Sequence, residues 1–181
     1  MDELQGDIAI RVERVEDLFD ALDPTPMPDH DLAPRVDAHV VGWAEALPDC
    51  AALRLRVALP QAEVARPEAV RIAEDVARHF SARARAETRT LRRLFRDGRI
   101  ALAIGLAVLA ACIALGQALQ SAAPSLPFPR VAQVVAESLV IMGWVAMWRP
   151  AEIWLYEWWP IRARRRLLQR LAAAPVTVTQ A

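Results

Sequence analysis

The stretch IALAIGLAVLAACIALGQAL, residues 100–119, decides how this chain folds, because it runs for 20 residues without a charge. Its one strongly polar side chain is Gln117. A helix rises about 1.5 Å per residue, so the stretch reaches about 30 Å, the thickness of a bilayer's hydrocarbon core. A second stretch, VAQVVAESLVIMGWVAMW at 131–148, has 18 residues and one acid, Glu137. The short segment between them carries Pro124, Pro127 and Pro129. Two apolar runs joined so closely predict a helical hairpin through a membrane.

Charge is segregated around that hairpin. Residues 1–50 hold 13 acids against three arginines, whereas 83–99 hold seven arginines against two acids and 149–170 hold six against two. All 22 basic residues are arginine, which together with abundant alanine suggests a GC-rich bacterial genome. Arg89, Arg92, Arg93, Arg96 and Arg99 precede the first span, and the turn has only Arg130. The positive-inside bias then places both termini in the cytoplasm of a bacterial inner membrane and the Pro-rich turn outside. No apolar segment opens the sequence, so no signal peptide is expected. Cys50 and Cys112 fall in different environments and predict neither a disulfide nor a metal site.

Outward from the hairpin, the chain reads as a small α+β unit. Asp7 to Glu13 alternates, with Ile8, Ile10 and Val12 on one side, and predicts a strand. Val15, Leu18, Phe19 and Leu22 follow helical spacing, ended by the prolines of Asp23 to Pro28. Asp31 is the expected N-cap of a helix buried along Val36, Val40, Trp43 and Leu47. Leu53, Leu55, Val57 and Leu59 predict a second strand. From Glu68 a long helix begins, with Val70, Ala73, Ala77, Phe80, Ala84, Leu91 and Leu94 as its apolar stripe. Asp97-Gly98 is where that helix loosens, or else it runs directly into the first span.

Two strands make a meagre core. The alternating tail Pro175 to Thr179 offers a third strand, and pairing of an edge strand with another protomer offers a second remedy. Self-association is expected on this shortage alone.

After the second span, Trp148, Trp154, Trp158 and Trp159 supply four of the six tryptophans within twelve residues. Indole rings favour the headgroup level of a bilayer. Ile161 to Leu171 then sets Leu167, Leu168 and Leu171 beside Arg164, Arg165, Arg166 and Arg170. With Arg162 this predicts an interfacial amphipathic helix drawn to anionic inner-leaflet lipid.

The stretches Leu18 to Pro26 and Trp148 to Arg162, the latter ending Trp158-Trp159-Pro160-Ile161-Arg162, resemble a group of bacterial two-span inner-membrane proteins with a WWPIR-type juxtamembrane segment. The resemblance covers nearly the whole chain. It implies the same layout of acidic N-terminal domain and two spans, and it contributes no catalytic residue and no ligand.

The expected organisation is therefore an α+β membrane protein in six parts. Residues 1–66 form an acidic cytoplasmic β-α-α-β domain, and 67–99 a long arginine-rich juxtamembrane helix. Transmembrane helices at 100–119 and 131–148 flank an external turn at 120–130, and an interfacial helix and tail occupy 149–181. Glu137 is the leading functional candidate, since a charged group within a span costs roughly 2.5–3.5 kcal/mol on insertion scales. Gln133 lies one turn before it, and Gln117 falls at a similar depth in an antiparallel hairpin. Small residues at Ala101, Gly105, Cys112 and Gly116, and at Ala132, Ala136 and Gly143, predict close helix packing.

Asp29-His30-Asp31, with Asp37 and His39, invites a metal reading that the structural role of Asp31 and the solvated position of His39 argue against. His79 reads as a surface or interface residue. No phosphate loop, nucleophile elbow, paired-Cys motif or triad is present, so neither enzyme nor cofactor is expected. Membrane phosphates account for the arginines of 83–99 without nucleic acid, and the acids of residues 1–50, within a protomer or across one, are an alternative partner for them. The sequence thus favours a structural or regulatory membrane subunit, homo-oligomeric or part of a complex. Its alternatives are an oligomeric proton or cation conduit using Glu137 and a lipid-responsive sensor at 149–171.

Overall fold

Alternation builds the sheet. Strand β1 (Gln5–Arg11) buries Ile8 and Ile10 while Asp7, Ala9 and Arg11 face outward. Strand β2 (Ala52–Leu59) buries Leu53, Leu55, Val57 and Leu59 and exposes Arg54 and Arg56. The tail returns as strand β3 (Val176–Gln180), the first of the two remedies for a small core. All three strands run parallel in the order β1-β2-β3, so the first pair is no hairpin. Ile8, Leu55 and Val176 form one cross-strand row, and Ile10, Val57 and Val178 the next.

The computed structural model describes residues 5–20, 31–48, 50–125 and 127–180. Leu22, the proline-rich stretch from Asp23 to Pro28, and Asp29-His30 lie outside the described residues. The described parts form two compact units, residues 1–88 with 163–181 and residues 89–162.

In the first unit, a single 3₁₀ turn (Val15–Leu18) follows β1 and buries Val15 and Leu18. Helix α1 (Pro34–Ala46) starts with Pro34 in its first turn and Ala33 at the cap. Asp31 is therefore not the N-cap, because the fixed φ of Pro34 starts the helix two residues later than a capping aspartate requires. The helix buries Val40, Val41 and Ala44, with Val36 and Leu47 partly buried. Trp43, expected in the buried stripe, is 56% exposed.

After the short helix α2 (Gln61–Val64) comes helix α3 (Pro67–Ala122), unbroken for 56 residues. Its part in this unit buries Ala69, Ile72, Val76, Phe80 and Ala84. The expected stripe was one residue out of phase over its first two turns, and Val70 is 83% exposed. Ile72, Val76 and Phe80, at i, i+4 and i+8, set the true face.

Helix α6 (Trp158–Ala172) closes the same core, with Leu168 and Leu171 fully buried against it and Leu167 partly so. This corrects the interfacial reading of Ile161 to Leu171, because these leucines are spent on protein and not on lipid. Arg170 ties the helix down by donating to the carbonyl of Ala51 at 2.9 Å.

The second unit is an antiparallel helix pair, the remainder of α3 against helix α4 (Pro129–Ala146). Its seam is made of small residues, as expected. Gly105 lies against the carbonyl of Ala146, Gly143 against Leu109 and Cys112, and Gly116 against the carbonyl of Ala136. A Cβ at Gly143 would stand 2.8 Å from Leu109 Cδ1. The Ala146 carbonyl has no α-helical donor four residues on, because Pro150 has no N–H, and the chain turns at Met147 before helix α5 (Trp148–Glu152). Gly98 does not loosen α3. It is buried where a Cβ would stand 2.9 Å from Ile153 Cγ2, so it serves close approach.

With Ile72 on the buried face of α3, Ile72→Ala will destabilise the first unit by about 2–5 kcal/mol through the cavity it leaves. Val70→Ala will stay within about 0.5 kcal/mol, as exposed substitutions do. Urea unfolding of the full-length chain in detergent checks both.

Candidate functional site

The first unit contains a polar cluster that no sequence motif announces. The β-bridge between Phe19 and Leu32, with Ala33 N–H donating to the Leu18 carbonyl at 2.9 Å, fixes the approach to α1. That holds Asp31 in place, while α1 itself carries Asp37 one turn in. Opposite them α3 presents His79 and Arg83, four residues apart on one face. His79 Nδ1 lies 2.8 Å from Asp31 Oδ1, and Nε2 lies 3.2 Å from Asp37 Oδ1. Arg83 donates to the same Asp37 oxygen.

His79 is 8% exposed, which overturns its reading as a surface residue. Burial pushes the imidazole down, but hydrogen bonds to Asp37 and Asp31 outweigh it and leave the pKa raised. Burial likewise pushes Asp37 up, and the His79 hydrogen bond and Arg83 charge more than offset it, leaving that carboxyl low. In the imidazolium form both ring nitrogens donate, one to each carboxylate. In the neutral form Nδ1 instead accepts from the Leu32 N–H, 3.3 Å away.

The cluster is an electrostatic clasp joining three segments. Metal ligation needs a lone pair from imidazole, and here each ring nitrogen faces a carboxylate. Among the described residues no group of three His, Cys, Asp or Glu is placed to hold a metal. His39 is exposed, 6.2 Å from the Trp43 ring.

The polar candidates of the two apolar stretches lie in the second unit. Glu137, Gln133 and Gln117 are all exposed, outside the seam made by Ala132, Ala136, Gly143, Gly105, Cys112 and Gly116. None of the three side chains makes a hydrogen bond or ion pair among the described residues.

The Trp/Arg segment holds a break in helix geometry. Residues Ile153–Glu157 form a π-helical turn between α5 and α6, and the wider turn accommodates Pro160, which lacks an N–H and crowds the preceding turn. Trp158 Nε1 donates to the Trp154 carbonyl at 2.9 Å, and Arg162 stands 5.5 Å over the Trp158 ring. Trp148, Trp154 and Trp159 are 72%, 44% and 65% exposed. Arg149 is paired with Glu152 and Glu157, and Trp154 packs on Phe95 with ring centroids 5.5 Å apart. In the first unit, Arg164 lies 3.5 Å from Glu87, Arg166 is exposed, and Arg165 is partly buried, its Nε without a partner among the described residues.

Comparisons of the chain with protein-family models, curated proteins and solved structures give no match.

The clasp has a pH consequence. A raised His79 pKa adds stability that is fully present below the unfolded value near 6.5 and is lost as pH rises through the folded value. The lowered Asp37 pKa adds stability present above its unfolded value near 3.8 and lost in acid. Urea midpoints of the full chain will therefore fall as pH rises above the unfolded value near 6.5. Asp37→Asn will flatten that alkaline slope.

Proposed function

We propose that this chain is an integral membrane protein of the bacterial inner membrane, a structural or regulatory subunit with no catalytic role of its own. Its hairpin, residues 100–119 and 131–148, is the anchor. Its α+β unit faces the cytoplasm and serves self-association or the docking of a partner. The resemblance to two-span proteins with a WWPIR-type segment belongs to the same proposal.

One observation carries the membrane part. Two helices are long and apolar enough to cross a bilayer, and only 17% of the apolar window of each is buried. A core helix of a soluble protein hides such a face. Here Ile104, Leu115, Val134, Ile141, Trp144 and Val145 are each between 57% and 69% exposed. An apolar surface this continuous matches acyl chains as its solvent.

The exposed Trp148, Trp159 and Arg162 suit the level of lipid phosphates, so anionic inner-leaflet lipid is the partner proposed for them. The docking part rests on the sheet. Among the described residues β1 and β3 each pair on one side only, leaving backbone groups available to another chain.

Cys50 makes the orientation measurable, because it is exposed while Cys112 is buried in the hairpin seam. The protein is expected to stay in the pellet after alkaline carbonate washing. A membrane-impermeant maleimide will label Cys50 in inverted vesicles and leave it unlabelled in intact spheroplasts. Labelling in intact spheroplasts reverses the topology.

A further inference from the structure

Gln117, Gln133 and Glu137 share one flank of the hairpin, while the Ser138 hydroxyl is satisfied within its own helix by the Val134 carbonyl at 2.8 Å. Gly116 meets the Ala136 carbonyl across the seam, and Gly143 meets Cys112 and Leu109. The two helices run antiparallel, so moving one residue forward from each seam position, a rotation of about 100°, turns both side chains to the same side. Gln117 and Glu137 follow Gly116 and Ala136, so they lie on one flank at one depth. Gln133 is one turn from Glu137 on that flank, and Trp144, which follows Gly143, continues it.

Moving one residue backward reaches the other flank, and there the residues are Leu115, Val135 and Met142. These are 57%, 45% and 59% exposed and wholly apolar. One side of the hairpin is built for lipid, and the other is not.

We propose that the flank bearing Gln117, Gln133 and Glu137 is where a second copy of this chain packs, hairpin against hairpin within the bilayer. This inference rests on the membrane reading above. Facing acyl chains, the Glu137 carboxyl would meet no hydrogen-bond partner, and a charged form there carries an insertion penalty. A partner inside the bilayer must be protein, and it must offer polar groups at the same depth.

A second copy does so without any further assumption. Every copy inserted with one topology presents its polar groups at one level, so rotation about an axis normal to the membrane brings flank to flank. Glutamine amides both donate and accept, so Gln117 and Gln133 of one copy satisfy Glu137 of the other, whether its carboxyl is charged or neutral.

Cysteine crosslinking of the full-length chain in native membranes tests this, on a Cys50→Ser, Cys112→Ala background. Oxidation is expected to give covalent dimers from Gln133→Cys and Trp144→Cys but not from Val135→Cys or Met142→Cys. In detergent, Glu137→Leu is expected to raise the dimer dissociation constant roughly 3- to 30-fold, the range of interhelical hydrogen bonds in membranes. Glu137→Gln keeps the hydrogen bond and stays within about threefold.

Dimers from the apolar flank, no dimers from either flank, or equal dissociation constants for the parent and Glu137→Leu overturn the proposal while the membrane reading stands. Release of the parent chain by alkaline carbonate overturns both.

Discussion

Parallel strands cannot be joined by a tight turn, and this requirement organises the whole chain. The connection from β1 to β2 is ordinary, carrying α1 across the sheet. The connection from β2 to β3 is residues 60–175, and it contains the entire hairpin. The apolar pair is therefore an insertion within a crossover and not an appendage to a finished domain. The two ends of that crossover, the first part of α3 and the last part of α6, cover the sheet together with α1. Ile72, Val76, Phe80, Leu168 and Leu171 all join one core with Leu55 and Val57. The sheet alone is too small to stand in water, and the covering helices supply what it lacks.

Two kinds of contact hold the parts in register. Apolar burial sets which faces meet, and charge sets which turn of each helix meets which. The clasp of Asp31, Asp37, His79 and Arg83 is the clearest example, since it fixes α1 against one turn of α3. In the second unit, glycine does the equivalent work by leaving space. Gly98, Gly105, Gly116 and Gly143 recur wherever the neighbouring chain comes closest. Close approach of this kind supports helix pairs where water supplies no driving force between them.

Much of this was legible from residue order. Strands β1 and β2 announced themselves through alternation, and the tail strand did so too. The small-residue seam was readable because small side chains let helix backbones approach closely. The failures share one cause, which is that a pattern reports a face without naming what covers it. Leu167, Leu168 and Leu171 with interleaved arginines read equally as a helix on lipid or a helix on protein. Along α3, alanine blurs the stripe, so Val70 drew the phase one residue away from Ile72 and Val76. Trp43 misled in the same way, because it falls at helical spacing with Val36, Val40 and Leu47.

The facing of N-terminal acids and arginines was open to the sequence, but the histidine of the clasp was not, since His79 sits 48 and 42 residues from Asp31 and Asp37 and only folding brings them together. One cue was available. His79 falls on the stripe of Ile72, Val76 and Phe80, where an imidazole must find partners. The flank shared by Gln117 and Glu137 needed the seam contacts before it was visible. Depth alone followed from chain length.

The order of the strands also sets a timetable for synthesis. Residues 60–175 must be made after β2 and before β3, which at about 5–20 residues per second takes roughly 6 to 23 s. Through that interval β2 has β1 beside it but not β3. Nascent chains on one polysome thus expose an open, hydrogen-bond-ready edge beside one another, held apart only by how quickly the ribosome reaches the last strand.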